Sequence, residues 1–219
     1  MWFTNEFQIE RSPHCRAGYL IIFTGIFLLM LNKPASTPIP FHLRIIGMLI
    51  VVILAVTTIL YHNITNVFWL CNISALLAGV ALVCGWPQAA LTGATYMVLG
   101  LMFWLLNVMI NKTFGNTVSY VTHFSFAVAG VYIFYRIPTG SRLWVSCFCW
   151  YILVQALSRL FTPPAENINM AFSIWPGWDI VFSSFIAFWS FITICCLAFL
   201  FVMNKIMFRL QKKRAGTGK

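Results

Sequence analysis

Two short stretches place side chains able to do chemistry inside otherwise apolar sequence. "FWLCNIS", residues 68 to 74, sets Cys71 and Asn72 side by side, and "YVTHFS", residues 120 to 125, puts His123 in a second apolar run. A thiol and an imidazole in such surroundings suit packing, a metal or haem site, or a nucleophile with its base. A thiol alone is a poor nucleophile in an apolar setting, so the catalytic role needs a base close enough to take its proton. The other polar candidates are Asn107, Gln155, Arg159 and Asp179, and the tryptophans Trp175 and Trp178 flank a Pro-Gly pair just before Asp179.

The elements that would hold these residues follow from composition. Of 219 residues, 61% are hydrophobic and 8% charged, against about 25% charged in soluble domains. The chain therefore reads as an all-α, polytopic integral membrane protein. Apolar segments fall at roughly 17–32, 43–61, 67–84, 89–110, 118–135, 142–161 and 180–203, separated by Gly-, Pro- and Asn-containing breakers. A span needs about 20 residues, so the first segment is marginal, and the count is about seven transmembrane helices. No small-x-small cleavage site follows segment 17–32, which argues against a removed signal peptide.

The net charge of +10 reflects fourteen basic residues against four acids, Glu6, Glu10, Glu166 and Asp179. Six of the basic residues lie in the last fifteen positions. Residues 1–204 then form one helical bundle and residues 205–219 a basic cytoplasmic tail facing anionic inner-leaflet lipids. The positive-inside rule places the C-terminus in the cytoplasm and the N-terminus outside. No basic folded module accompanies the tail, so nucleic acid is not an expected partner. The seven cysteines lack a CxxC pair and match neither a zinc nor a disulfide framework. No metal or cofactor is expected.

This topology gathers scattered residues at one level. Cys71, Asn72 and His123 lie roughly 6–8 Å below the outer starts of their helices. Asn107, the i,i+4 pair Gln155 and Arg159, and Asp179 fall near the same outer ends. Polar side chains in a span usually face the bundle interior or a water-filled cavity, which predicts a polar pocket open toward the outer leaflet. The spans carry no central carboxylate for a proton relay or sodium site. The last span also lacks a central lysine for a retinal Schiff base.

The order of features resembles a family of seven-helix integral membrane proteins that includes transmembrane protein 164, a cysteine-dependent lipid acyltransferase, and uncharacterised bacterial members. "VFWLCNISALLAGVAL" is similar to the family's early helix with Cys before a polar residue, and "VTHFSFAVAGVYIF" to its later helix bearing a histidine. "NINMAFSIWPGWDIVF" is similar to its Asn-containing loop and Trp-Pro element, with Asn169-Met170 where the family has Asn-Tyr. The resemblance implies Cys71 as nucleophile and His123 as base in moving a fatty acyl chain between lipids.

Chemistry then suggests roles for the rest. Asn72 and Asn107 are candidate oxyanion donors, Arg159 a candidate phosphate ligand, and Gln155 and Asp179 further substrate contacts. Trp175 and Trp178 are an interfacial belt or a substrate gate. The function expected is a lipid acyltransferase or lipid hydrolase acting on membrane phospholipids or lysolipids. Rival readings are a haem or metal redox protein using His62 and His123, and a non-catalytic small-solute transporter or accessory subunit. In a bacterial host the membrane is the plasma (inner) membrane. In a eukaryote the sequons at Asn63 and Asn111 face a lumen.

Overall fold

The computed structural model describes residues 38–61, 64–111 and 117–217. The expected first segment, 17–32, and His62 lie outside them. The described residues contain six α-helices and no strand: α1 (Phe41–Tyr61), α2 (Leu70–Cys84), α3 (Pro87–Asn111), α4 (Thr117–Arg136), α5 (Leu143–Phe161) and α6 (Phe185–Thr217). Five of them, all but α2, are long and apolar enough to cross a membrane.

The exception is where the chemistry lies. Segment 67–84 is not one helix, because a 3-10 turn at Ile64–Phe68 gives way at Trp69 to α2. With 15 residues, α2 is about 22 Å long, about 8 Å short of a 30 Å hydrocarbon core. Its far end is well defined. Gly85 takes φ 81, the Trp86 N–H donates to the Ala81 carbonyl at 2.8 Å, and Pro87 opens α3. That is a glycine C-cap followed by proline in a first helical turn, the two positions these residues favour.

Successive helices alternate in direction, with α2 packed between α1 and α3, α3 against α4, and α5 bridging α3 and α6. Lipid offers no hydrophobic drive between helices, so association relies on close packing of small residues. Ala75, Ala78 and Ala81 of α2 and Ala89, Ala90 and Ala94 of α3 are accordingly buried to 2% exposure or less. At the α1–α2 crossing, a Cβ on Gly47 would stand 2.6 Å from the Gly79 carbonyl oxygen.

Charge is unevenly divided between the two ends of the bundle. Arg44, Arg136, Arg142 and the basic residues from Lys205 to Arg214 lie at one end, called here the tail end. Glu166 and Asp179, the acids among the described residues, lie at the other with Arg159. The last helix also differs from expectation. It starts at Phe185, not at residue 180, leaving Trp175, Trp178 and Asp179 in the preceding loop. It continues to Thr217, so residues 205–217 are helix, docked on the α4–α5 connection. Gln211 Nε2 donates to the Phe134 carbonyl at 2.7 Å, Gln211 Oε1 accepts from the Thr139 N–H at 2.6 Å, and Asn204 Nδ2 donates to the Gly140 carbonyl at 3.1 Å.

The α1–α2 crossing gives a direct test. A Cβ on Gly79 would meet Val51 Cγ2 at 2.8 Å and the Gly47 carbonyl at 2.9 Å. Gly79→Leu should therefore destabilise the protein by about 1–3 kcal/mol, read as a lower melting temperature in detergent. Val80→Leu, on the exposed face of the same helix, should leave it nearly unchanged.

Candidate functional site

Cys71 is the second residue of α2, and its Sγ lies 3.6 Å from Nε2 of His123 on α4. The other ring nitrogen, Nδ1, is 2.8 Å from the Ser119 carbonyl oxygen one turn earlier. A carbonyl only accepts, so Nδ1 carries the proton and Nε2 turns its lone pair toward the thiol. The imidazole is fixed in plane as well. Trp104 stacks on it with centroids 4.7 Å apart and planes 14° from parallel, and Tyr120 meets Trp104 edge-on at 4.7 Å.

One face of α3 sets this spacing. Gly100 and Trp104 are one turn apart, the first against Cys71 and the second against His123. A Cβ on Gly100 would come within 2.5 Å of the Cys71 Cβ, so only glycine lets the two helices approach here. Both Cys71 and His123 remain half-buried.

Cys71 owes its position to a loop about a hundred residues away. The break at Trp69 leaves the Phe68 carbonyl and the Leu70 N–H without helical partners, and α2 has no side-chain cap of its own. Asn169 supplies both bonds. Its Oδ1 accepts from the Leu70 N–H at 2.8 Å, and its Nδ2 donates to the Phe68 carbonyl at 2.7 Å and to Ser158 Oγ at 2.8 Å. Irregular backbone at membrane depth is tolerated where protein satisfies its polar groups, and here one amide does so.

The loop that carries Asn169 is wound tightly. Asn167, Asn169 and Met170 all take left-handed φ values of 43°, 57° and 56°, which asparagine tolerates better than most residues and methionine does not. Asn167 Oδ1 accepts from the N–H groups of Phe172 and Ser173 at 3.0 Å each. Gln155 Nε2 donates to the Asn169 carbonyl and Arg159 Nε to the Ala171 carbonyl, each at 2.8 Å. Thr65 donates to Glu166 Oε2 at 2.6 Å, and Phe68 stacks on Phe161 at 5.9 Å, closing the loop onto the 3-10 turn.

The structure thus sorts the residues singled out in the sequence. Cys71, His123 and Asn72 come together. Asn72 is turned the opposite way from an oxyanion donor: its Nδ2 donates to the Asn66 carbonyl at 2.8 Å, and its Oδ1 accepts from the Cys71 thiol at 3.7 Å. Gln155 and Arg159 grip the Asn169 loop through its backbone carbonyls. Trp178 packs with Phe182, Phe188 and Phe191 at the start of α6, Trp175 is half-buried, and Asp179 is exposed. Asn107 belongs to α3, but its side chain lies outside the described residues. Among the described residues, no group of three His, Cys, Asp or Glu forms a metal-binding cluster.

Sequence reasoning missed Ser119, Gly100, Trp104 and the clamping role of Asn169. The i,i+4 spacings of Ser119 with His123 and of Gly100 with Trp104 were available signals. No protein-family model, curated protein or solved structure matches the chain.

Asn169→Gly isolates the clamp, because glycine keeps the left-handed backbone and removes only the amide. Loss of three hydrogen bonds, one of them buried and two partly so, with Leu70 N–H and Phe68 C=O left unpaired, should cost about 2–4 kcal/mol. The melting temperature should fall accordingly, while Asn167→Gly, at a more exposed left-handed position, should have a smaller effect.

Proposed function

We propose that this chain is a membrane-embedded thiol acyltransferase or hydrolase acting on glycerolipids, belonging with the seven-helix family described above. The observation that carries the reading is the 3.6 Å approach of Cys71 Sγ to the unprotonated Nε2 of His123. His123 Nε2 takes the thiol proton as Cys71 Sγ attacks the ester carbonyl carbon. The tetrahedral oxyanion forms at the N-terminus of α2, where the helix dipole favours negative charge. Collapse breaks the ester C–O bond, the leaving alkoxide takes the proton back from His123, and the acyl chain remains as a Cys71 thioester. A lysolipid hydroxyl or water then gives its proton to His123 and attacks the thioester, which regenerates the thiol.

Depth and charge fit this chemistry. A 15-residue α2 leaves about 8 Å of a 30 Å hydrocarbon core uncovered at its Cys71 end, room for a glycerolipid ester to enter from the headgroup boundary. Basic residues cluster at the tail end, supporting a cytoplasmic tail by the positive-inside rule. The site then faces the outer leaflet. Segment 17–32 as a first span would bring the count to seven, and a bacterial host would make the membrane its plasma membrane. In this arrangement both nitrogens of His123 are engaged, one with Ser119 and one with the thiol. That favours a base over a haem ligand.

The test is intact-protein mass spectrometry after incubation with a labelled phospholipid. Wild type should gain a hydroxylamine-sensitive acyl mass that Cys71→Ala lacks. His123→Ala should slow its appearance by about 10²–10⁴-fold. Full transfer or hydrolysis by Cys71→Ala would contradict the reading.

A further inference from the structure

A cavity of about 280 Å³ lies away from Cys71, between α3, α4, α5 and α6 toward the tail end. Its walls are almost entirely apolar, with Val98, Val131, Leu143, Met203 and Met207 among them, and Arg214 stands at its mouth. Along α6 it is lined from Leu200 to Arg214, fifteen residues spanning about 21 Å of helix. Val131 and Tyr135 on the α4 wall are 58% and 63% exposed, so the groove opens sideways to the surroundings of the bundle.

Dimensions identify the occupant. A helix about 10 Å across and 21 Å long displaces about 1,600 Å³ and would lie over the groove, not within it. A single acyl chain is thin enough, and the lined length matches one leaflet, about 15 Å of hydrocarbon, plus the headgroup boundary. The two methionines make a flexible wall that adapts to a chain. Charge specifies the headgroup. Arg214 sits over the Tyr135 ring at 5.2 Å, with Arg209, Lys212 and Lys213 exposed on the same helix, and a guanidinium is well shaped for phosphate oxygens.

We propose that this groove is a binding site for an anionic phospholipid of the tail-side leaflet, one chain lying between α4 and α6 and the phosphate on Arg214. The site is separate from the Cys71–His123 pair and does not depend on the chemistry assigned to it. The docking of Gln211 and Asn204 onto the α4–α5 connection holds α6 in place as the groove's outer wall. The bound lipid fills the remaining gap between α6 and α4.

The experiment uses the full chain in nanodiscs of phosphatidylcholine with a minor share of phosphatidylglycerol, carrying a photo-crosslinking benzoylphenylalanine in place of Met203. Phosphatidylglycerol should be captured about fivefold above its share of the bilayer, and Arg214→Ala should return capture to that share. Met207→Trp, which narrows the groove, should abolish the adduct. Capture in proportion to bilayer composition would overturn the proposal, as would crosslinks to residues 17–32, to a second copy of the chain, or to free fatty acid in place of phospholipid. Native mass spectrometry of the unmodified chain is the second measurement, free of any folding defect in the variants. Phosphatidylglycerol retained in preference to phosphatidylcholine on wild type, with the preference lost in Arg214→Ala, supports the site; equal retention overturns it.

Discussion

The arrangement of this molecule depends on one side-chain amide bonding across a break in the backbone. At Trp69 the chain passes from a 3-10 turn into α2, with a carbonyl on one side and an N–H on the other lacking helical partners. Water would satisfy such groups at a surface, whereas hydrocarbon cannot. Asn169 meets both, with Ser158 taking a further amide hydrogen. The consequences spread outward from there. Because the break is satisfied, α2 can begin within the bundle, and its second residue, Cys71, meets His123 there and not at its rim. Because Asn169 must present its amide at that point, the loop takes three left-handed residues, and Gln155 and Arg159 are committed to holding it.

The same economy appears around His123. Its orientation is set by a backbone carbonyl one turn away and by an indole on its face, neither of which depends on a charged partner. The helix supplies its own carbonyl to orient the ring. Such a partner suits a site within the bilayer, since a buried carboxylate would be expensive there. Close approach does the remainder. Gly100 lets α3 press on Cys71, and Trp104, one turn on, fills the space beside the imidazole.

Much of this was legible in the sequence, and the failures have identifiable physical causes. Helices α1, α3, α4 and α5 fall within two residues of their expected bounds, because Pro, Gly and Asn punctuate apolar runs of spanning length. Cys71 and His123 could be paired from topology alone, each lying a few residues from a helix start at the same end. The break at Trp69 could not be read. Residues 67–84 are uncharged and mostly apolar with no proline at the break, and the interruption is completed by an asparagine 99 residues further along the chain. Gln155 and Arg159 looked like substrate contacts because polar groups in spans often are. A side chain bonded to a distant backbone carbonyl leaves no pattern in sequence that separates it from one awaiting a ligand. The basic tail read as a cytoplasmic segment facing anionic lipids, since nothing in "FRLQKKR" announces that Gln211 has partners at Phe134, Ile137 and Thr139.

The central claim is that His123 activates Cys71, and that Asn169 holds them in register. The most direct measurement is the rate at which a lipid-soluble alkylating reagent modifies Cys71 in membranes, with the exposed Cys84 as internal standard, in wild type, His123→Ala and Asn169→Gly. On this account Cys71 reacts about a hundredfold more slowly without the imidazole and slows markedly without the clamp, while Cys84 is unchanged. Equal rates for Cys71 in all three proteins would contradict it, leaving the thiol a packing residue beside a histidine.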